Sequence, residues 1–359
     1  MNNIFKGLKI IELSSVLAGP AVGMFFAELG ATVIKVENSK TNGDVTRTWH
    51  LPTENPENVS AYYASVNFNK KVIYLDLSSK KGRKSVYNLI EDADIIITNY
   101  KKGAAEKLKM DYPRLSAIKP DLIYAHLTGF GLNSDRPAFD VVLQAEAGFM
   151  FMCGEKAGMP VKMPVALIDI LAAHHLKEGI LVGLIERLKT GKGSFITTSL
   201  YEAAIASLAN QAANWLMAGH VPQRMGSQHP NIAPYGDVFH TKDDKAVVIA
   251  CGTQRHFVLL CRYFGIENLC SDERFISNKN RVANRKELNA ILDLHFQKKD
   301  RDELINELTE LQVPIGAIRN MQEVFDNPAC QSLILEEALD ETHTRRVKTA
   351  IFELNHPPE

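Results

Sequence analysis

The sequence carries almost no net charge, no long uncharged apolar run, no paired-cysteine motif and no dinucleotide fingerprint. Each absence narrows what the chain can be. Lys and Arg number 41 against 42 Asp and Glu, a formal net charge of -1, which argues against a nucleic-acid binder working through a general basic field. No stretch approaches the roughly 18 uncharged apolar residues of a membrane span, so none is expected. The opening MNNIFKGLKIIEL lacks the uncharged core and small-residue cleavage site of a signal peptide. Five cysteines (Cys153, Cys251, Cys261, Cys270, Cys330) include no CxxC pair and are odd in number. That fits reduced thiols in a cytoplasmic protein. No internal repeat or low-complexity tract is present.

What is present is material for sizeable cores. At 359 residues and 45% hydrophobic, the chain suits two domains better than one. Residues 8–13 (LKIIEL) read as a strand ending near SSVLAGP, followed by a helix-like stretch to Leu29, a break at Gly30 and a second strand at 31–36. This is a βαβ opening. Gly19, Gly23 and Gly30 do not space as GxGxxG, and Pro20 follows the first, so a nicotinamide dinucleotide site is not expected.

A polar loop, NSKTNGDVTRTWHLPTENPENV, comes next. Strands are then expected at 72–77 (VIYLDL), 93–98 (ADIIIT) and 122–127 (LIYAHL), with helices at 80–90 and 104–108. The alternation predicts an α/β, Rossmann-like, doubly wound parallel sheet, whose ligands lie beyond the carboxyl ends of the strands. Lys40, Lys80, Lys81, Lys101 and Lys102 fall at those ends and would suit a phosphate-bearing ligand, although loop lysines are ordinarily solvated surface.

The stretch MPVALID ends at Asp169, and residues 170–189 carry apolar side chains at Ile170, Leu171, Leu176, Ile180, Leu181, Leu184 and Ile185. That spacing is helical, and TGKG supplies the stop. Two readings of Asp169 follow from its place at the boundary. It is a helix N-cap, or it is a carboxylate presented in a mostly apolar cleft as nucleophile or base. Beyond TGKG come a strand at 194–199, an Ala-rich helix (YEAAIASLANQAANWLMAG) and a Pro- and Gly-dense loop (VPQRMGSQHPNIAPYG). A strand at 246–250, mainly helical sequence to about 311 and a return strand in QVPIGAIRN follow; the final forty residues are mixed and end in HPPE. A boundary near Val221 gives a large domain over 1–220, a smaller α+β domain over 221–319, and a return of 320–359 to the large one.

A colinear series of stretches resembles the family III CoA-transferases, a group that includes the carnitine, formyl and oxalate CoA-transferases and the acyl-CoA racemases. The series runs VLAGPAVGMFFAELGATVIKVE (16–37), GDVTR (43–47), NFNKKVIYLDL (67–77), LTGFG (127–131), FDVVLQAEAG (139–148), Asp169, ERLKTGKG (186–193), SLYEAA (199–204), HPNIAPYGDVF (229–239), FISNKNRVANRKEL (275–288) and QVPIGAI (312–318). The resemblance implies an interlinked-ring homodimer acting on an acyl-CoA donor and a carboxylic acid acceptor, with coenzyme A as substrate and product and no metal. It also implies that Asp169 is the catalytic carboxylate, forming an acyl-aspartyl and then an aspartyl-CoA intermediate. The positions that match coenzyme A contacts are Val16, Leu17, Asn38, Leu75, Asp76, Leu77, Ser78, Asn99, Tyr100, Lys107, Arg136, Ala138 and Phe139.

Departures from the family pattern mark where that reading thins. Asn38 stands for an Arg and Ser78 for a Lys, so the 3′-phosphate needs other partners, among which Lys70, Lys71, Lys107 or Arg136 could serve. Leu17 replaces the Gln of the formyl-CoA transferases, and MGSQHPN replaces their glycine run. Oxyanion donors are sought in VLAGP and in the 224–236 loop, where glycine lets backbone come close. The racemases carry a GHD-like stretch; Ala138, Phe139 and Asp140 offer no imidazole there. His126 reads as a packed histidine, and His174, His175 and Glu178 as a polar helix face rather than a metal site. A non-catalytic CoA-binding role is a further alternative, since relatives usually continue past HPPE.

Overall fold

A computed structural model describes residues 3–354; the HPPE ending lies outside them. Two compact units form. One comprises the chain to Phe149, Lys162–Val221 and the segment from Gln331; the other comprises Met150–Val161 and Pro222–Cys330.

In the first unit, short apolar runs become strands β1 (Lys9–Leu13), β2 (Thr32–Asn38), β3 (Lys70–Leu75), β4 (Ile95–Thr98), β5 (Ile123–Thr128) and β6 (Ser194–Ser199). All pair in parallel, in the spatial order β3-β2-β1-β4-β5-β6. This is the doubly wound α/β arrangement expected, and its strand order reverses between β1 and β4. In such sheets the crevice beyond that reversal is where ligands bind. The strand expected at 72–77 starts two residues earlier, at Lys70, whose side chain is buried.

Both faces of the sheet are covered, so its central strands are apolar throughout. Ile10, Ile95, Ile97 and Ile123 point to one face, against Val22 and Phe26 of the helix Ala18–Glu28 and Ile168 and Leu176 of the helix Leu167–Thr190. Ile11, Ile96 and Tyr124 point to the other, against Val86 and Ile90 of the helix Lys80–Ile90. The period of two along each strand divides the two cores. Burying each such side chain stabilises the fold by about 1.5–3 kcal/mol.

The helix Ala18–Glu28 is buried along its whole length, which requires close approach to β1. Glycine provides it. A Cβ at Gly19 would overlap Ser14, and one at Gly23 would overlap the carboxylate of Glu12.

The Ala-rich stretch after β6 forms two helices, Leu200–Ala206 and Ala209–Ala218, because Ala209 turns to φ +46° at the junction. A hairpin, Ile334–Leu339 with Thr342–Val347, orders the mixed C-terminal segment. It is tied down where Glu337 accepts the N–H of Asn69 at 2.9 Å and Asp340 pairs with Arg47 at 2.6 Å. In the second unit, Tyr235–His240, Ala246–Ala250 and Ile315–Ala317 make an antiparallel sheet packed on helices through Phe239, Val247, Phe257, Leu288 and Phe296. The strand Tyr235–His240 was not expected, since its first residues belong to a Pro- and Gly-rich segment.

Candidate active site

The crevice at the β1/β4 reversal is built from two short connections. Ser14 to Leu17 lead from β1 into the helix Ala18–Glu28, and Asn99 and Tyr100 follow β4. The Asn99 side chain clamps the two together: its Oδ1 accepts the Ser15 N–H at 3.1 Å and its Nδ2 donates to the Ser15 carbonyl at 2.8 Å. Two cavities share this clamp. One, of about 590 Å³, is lined by Asn38, Leu75, Asp76, Leu77 and Ser78. The other, of about 630 Å³, is lined by Val16, Leu17, Asn99, Arg136, Ala138, Phe139 and Asp169. Ser15 and Tyr100 belong to both walls, so the cavities adjoin. Lys107 lines neither and lies exposed on the short helix Ala104–Leu108.

Asp169 is not the N-cap of its helix. That place belongs to Ala166, and Asp169 is the third residue inside, 8% exposed. The capping work falls instead to Asp140, whose Oδ1 accepts the N–H of Ile168 at 2.7 Å while Gln144 Nε2 donates to its Oδ2 at 2.6 Å. Among the described residues, none hydrogen-bonds the Asp169 carboxylate. Burial first, and the neighbouring charge of Asp140 second, push its pKa up to about 7. A carboxyl so placed exchanges a proton near neutrality and, once ionised, is a poorly solvated and therefore reactive oxygen nucleophile.

Beneath the crevice lies a buried ionic network that sequence reasoning did not find. Lys35 Nζ pairs with Glu12 at 3.0 Å and Asp44 at 3.1 Å, and donates to the Ser14 carbonyl at 2.9 Å. Lys70 Nζ pairs with Glu12 at 2.8 Å and donates to the Pro20 carbonyl at 2.8 Å and to Asn67 at 3.0 Å. Burial lowers the Lys35 pKa, but Glu12 and Asp44 outweigh it and the net shift is upward. For Lys70 burial prevails, and its pKa falls to about 8. Lys70 is thus committed to Glu12 inside the protein, which corrects its candidacy as a phosphate partner. Inward-pointing charges on β1, β2 and β3 were the available signal, readable only once the strands are paired.

Asp44 also accepts the N–H of Val16, at 3.1 and 3.3 Å. Val16 has φ +72°, a β-branched residue in the left-handed region, where the backbone costs on the order of 1–3 kcal/mol unless its surroundings hold it. Strain of this kind concentrates at functional sites. In the first cavity, Lys40 pairs with Asp76 at 3.0 Å and donates to Ser78 at 2.8 Å. At the second, Arg136 pairs with Glu146 at 2.8 Å and lies over the Phe130 ring at 4.0 Å.

His126 is buried, lines the second cavity and is held by Thr98 at 2.6 Å; burial lowers its pKa. His175 pairs with Glu178 at 3.3 Å. Among the described residues no three His, Cys, Asp or Glu side chains gather as a metal site, and no helix is long and apolar enough to cross a membrane.

Fold and site together define an α/β protein that presents a buried carboxylate to an extended crevice at the reversal of a parallel sheet. Residues 5–358 match CoA-transferase family III, and the chain belongs to that family of transferases. It is 37% identical over 357 residues to a succinate–glutarate CoA-transferase of Agrobacterium fabrum, covering 97% of this chain and 88% of the relative. It is 37% identical over 333 residues to the human succinyl-CoA:glutarate CoA-transferase, covering 91% and 75% respectively. Among solved structures, a CAIB/BAIF family protein from Brucella suis superposes with a TM-score of 0.88 at 38% identity, over 98% of this chain and 93% of that one.

Proposed function

We propose that this chain transfers coenzyme A from an acyl-CoA to a carboxylic acid through covalent intermediates on Asp169. The observation that carries the proposal is the Asp169 carboxylate, buried, free of hydrogen bonds among the described residues and lining a cavity that adjoins a second one. Two adjoining cavities suit an extended ligand with a nucleotide at one end and a thioester at the other. In this reading Asn38, Leu75, Asp76, Leu77 and Ser78 border the nucleotide, with Lys40, in the wall of the same cavity, as the cation for a phosphate. The pantetheine arm passes Ser15 and Tyr100, and the thioester lies among Val16, Leu17, Asn99, Arg136, Ala138 and Phe139. Lys107 is too exposed to be assigned more than a contact at the rim.

The chemistry follows from the carboxylate. An ionised Asp169 oxygen attacks the thioester carbonyl, the C–S bond breaks, and a mixed anhydride forms as the CoA thiolate leaves. The thiolate attacks the aspartyl carbonyl, releasing the donor acid and leaving an aspartyl-CoA thioester. The acceptor carboxylate attacks that thioester to form a second anhydride, and the returning thiolate takes the acceptor acyl group and frees Asp169. Splitting one exchange into covalent steps is what such a nucleophile offers, and each carbonyl attacked develops an oxyanion. The N–H of Ala18, at the start of its helix in the wall of the second cavity, has no acceptor among the described residues and is the candidate donor.

Relatives named for succinate and glutarate support dicarboxylic acids as the substrate class. Exposed apolar side chains on the helices Leu167–Thr190 and Ala209–Ala218, among them Leu188, Leu216 and Met217, support an interlinked homodimer, and the reduced cysteines a cytoplasmic setting. The deciding experiment incubates the protein with succinyl-CoA and glutarate, then adds hydroxylamine. Glutaryl-CoA and a hydroxamate on Asp169 are expected, both lost in Asp169→Ala. Full exchange by Asp169→Ala would overturn the covalent route.

A further inference from the structure

Resting on that reading of Asp169, we propose that Asp44 is a positioning residue for the reaction. Its carboxylate, fixed by Lys35, holds Val16 in the left-handed conformation that sets the Val16–Ala18 backbone in the wall of the cavity containing Asp169. Asp44 itself lies in the wall of the other cavity. Among the described residues no hydrogen bond or ion pair joins it to Asp169, and it acts through the loop between them.

The geometry is over-determined in the way a strained, functional loop requires. The Asp44 side chain is 1% exposed. Its acceptor capacity is divided between Lys35 Nζ at 3.1 Å, the backbone N–H and hydroxyl of Thr46 at 3.1 and 2.9 Å, and the Val16 N–H. Its own N–H donates to Glu37 Oε2 at 3.0 Å, and Glu37 is fixed by Arg47 at 2.6 Å. On the loop itself, Lys35 holds the Ser14 carbonyl and Asn99 holds both backbone groups of Ser15. The Ser14 carbonyl, both backbone groups of Ser15 and the Val16 N–H are therefore held by side chains from β2, from the segment after β4 and from Asp44 beyond β2. Such preorganisation matters to a step in which charge develops at a fixed point, because a misplacement of about 1 Å can cost about 100-fold in rate.

The test compares wild type with Asp44→Asn, which keeps the side-chain shape and one acceptor but removes the charge that pairs with Lys35, and with the double variant Asp44→Asn, Val16→Gly. Single-turnover formation of aspartyl-CoA is expected to fall about 10- to 100-fold in Asp44→Asn, a larger factor than any rise in the Kd for free coenzyme A that follows from Asp44 also lining the first cavity. Hydrogen exchange at the Val16 amide is expected to quicken. Glycine takes φ +72° without support, so the double variant is expected to regain part of the lost rate. A wild-type rate in Asp44→Asn, a loss in rate matched by an equal loss in coenzyme A affinity, or no recovery in the double variant would each overturn the proposal. If wild type itself shows no labelling of Asp169, the transfer reading fails instead. The amide exchange still decides the Asp44–Val16 link, because unchanged exchange at Val16 in Asp44→Asn would sink it.

Discussion

Asp140 caps the helix that carries Asp169 and, through its charge, raises the pKa of the same carboxylate. The two effects oppose what the helix alone would do. A helix N-terminus ordinarily favours a carboxylate in its first turn by about 0.3–1 kcal/mol. Asp169 nevertheless sits near 7 rather than 3.8, an excess of ~4 kcal/mol in favour of the protonated form. Burial, aided by Asp140, outweighs the dipole. The residue that satisfies a backbone N–H therefore adds to the burial that brings the Asp169 midpoint near neutrality.

This pairing gives a pH prediction. In the proposed mechanism only ionised Asp169 attacks the thioester, so kcat/KM for the acyl-CoA should climb as pH rises through about 7. Asp140→Asn preserves an acceptor for the Ile168 N–H but removes the charge. Its midpoint should move to lower pH, while staying above that of an ordinary carboxylate because burial remains the larger cause. A pH–rate profile of both proteins checks this; an unmoved or raised midpoint would show that the Asp140 charge is not felt.

Stability carries the same signature with a definite sign. The folded-state pKa of Asp169 is raised, so between about 4 and 7 the folded protein binds more protons than the unfolded chain, and stability falls as pH rises through that window. Asp169→Asn abolishes the effect. Below pH 4 the variant and wild type should unfold alike. At pH 8 the variant should be more stable by a few kcal/mol, within the ~4 kcal/mol set by the shift. Denaturant titrations at the two pH values measure the difference, and equal midpoints at pH 8 would contradict the raised pKa.

Much of the layout was legible because apolar runs and helix breakers are local signals. The Ile-rich β4 and the helix Lys80–Ile90 fall where the pattern placed them, and Asp169 stands at the head of the long helix. What escaped depends on partners distant in the chain. Lys35, Lys70 and Glu12 read as ordinary charged residues until three strands are paired and their side chains converge. A cap role is one of the two readings of Asp169 because sequence sees only the residue at the boundary. Asp140, twenty-eight positions before Ile168, supplies the bond from outside. The strand Tyr235–His240 begins in a segment rich in Pro and Gly, where turn chemistry masks the alternation that follows.

The buried network also fixes what the second glycine of the helix Ala18–Glu28 must be. A Cβ at Gly23 would overlap Glu12 Oε2 and lie 3.4 Å from Lys70 Cε. Neither neighbour can retreat freely, since Glu12 is shared by Lys35 and Lys70 and all three side chains are 0% exposed. Overpacking a core ordinarily costs about 1–3 kcal/mol, and parting a buried ion pair about 3–5 kcal/mol. Alanine normally stabilises a helix interior by about 1 kcal/mol over glycine, so the steric term decides the sign. Gly23→Ala should destabilise the protein by at least about 2 kcal/mol. By contrast Gly252→Ala, whose added Cβ would meet nothing closer than 3.7 Å, should stay within about 0.5–1 kcal/mol of wild type. Equilibrium denaturation of the two variants under one buffer separates them, and a Gly23→Ala protein as stable as wild type would mean that Glu12 and Lys70 are not locked together.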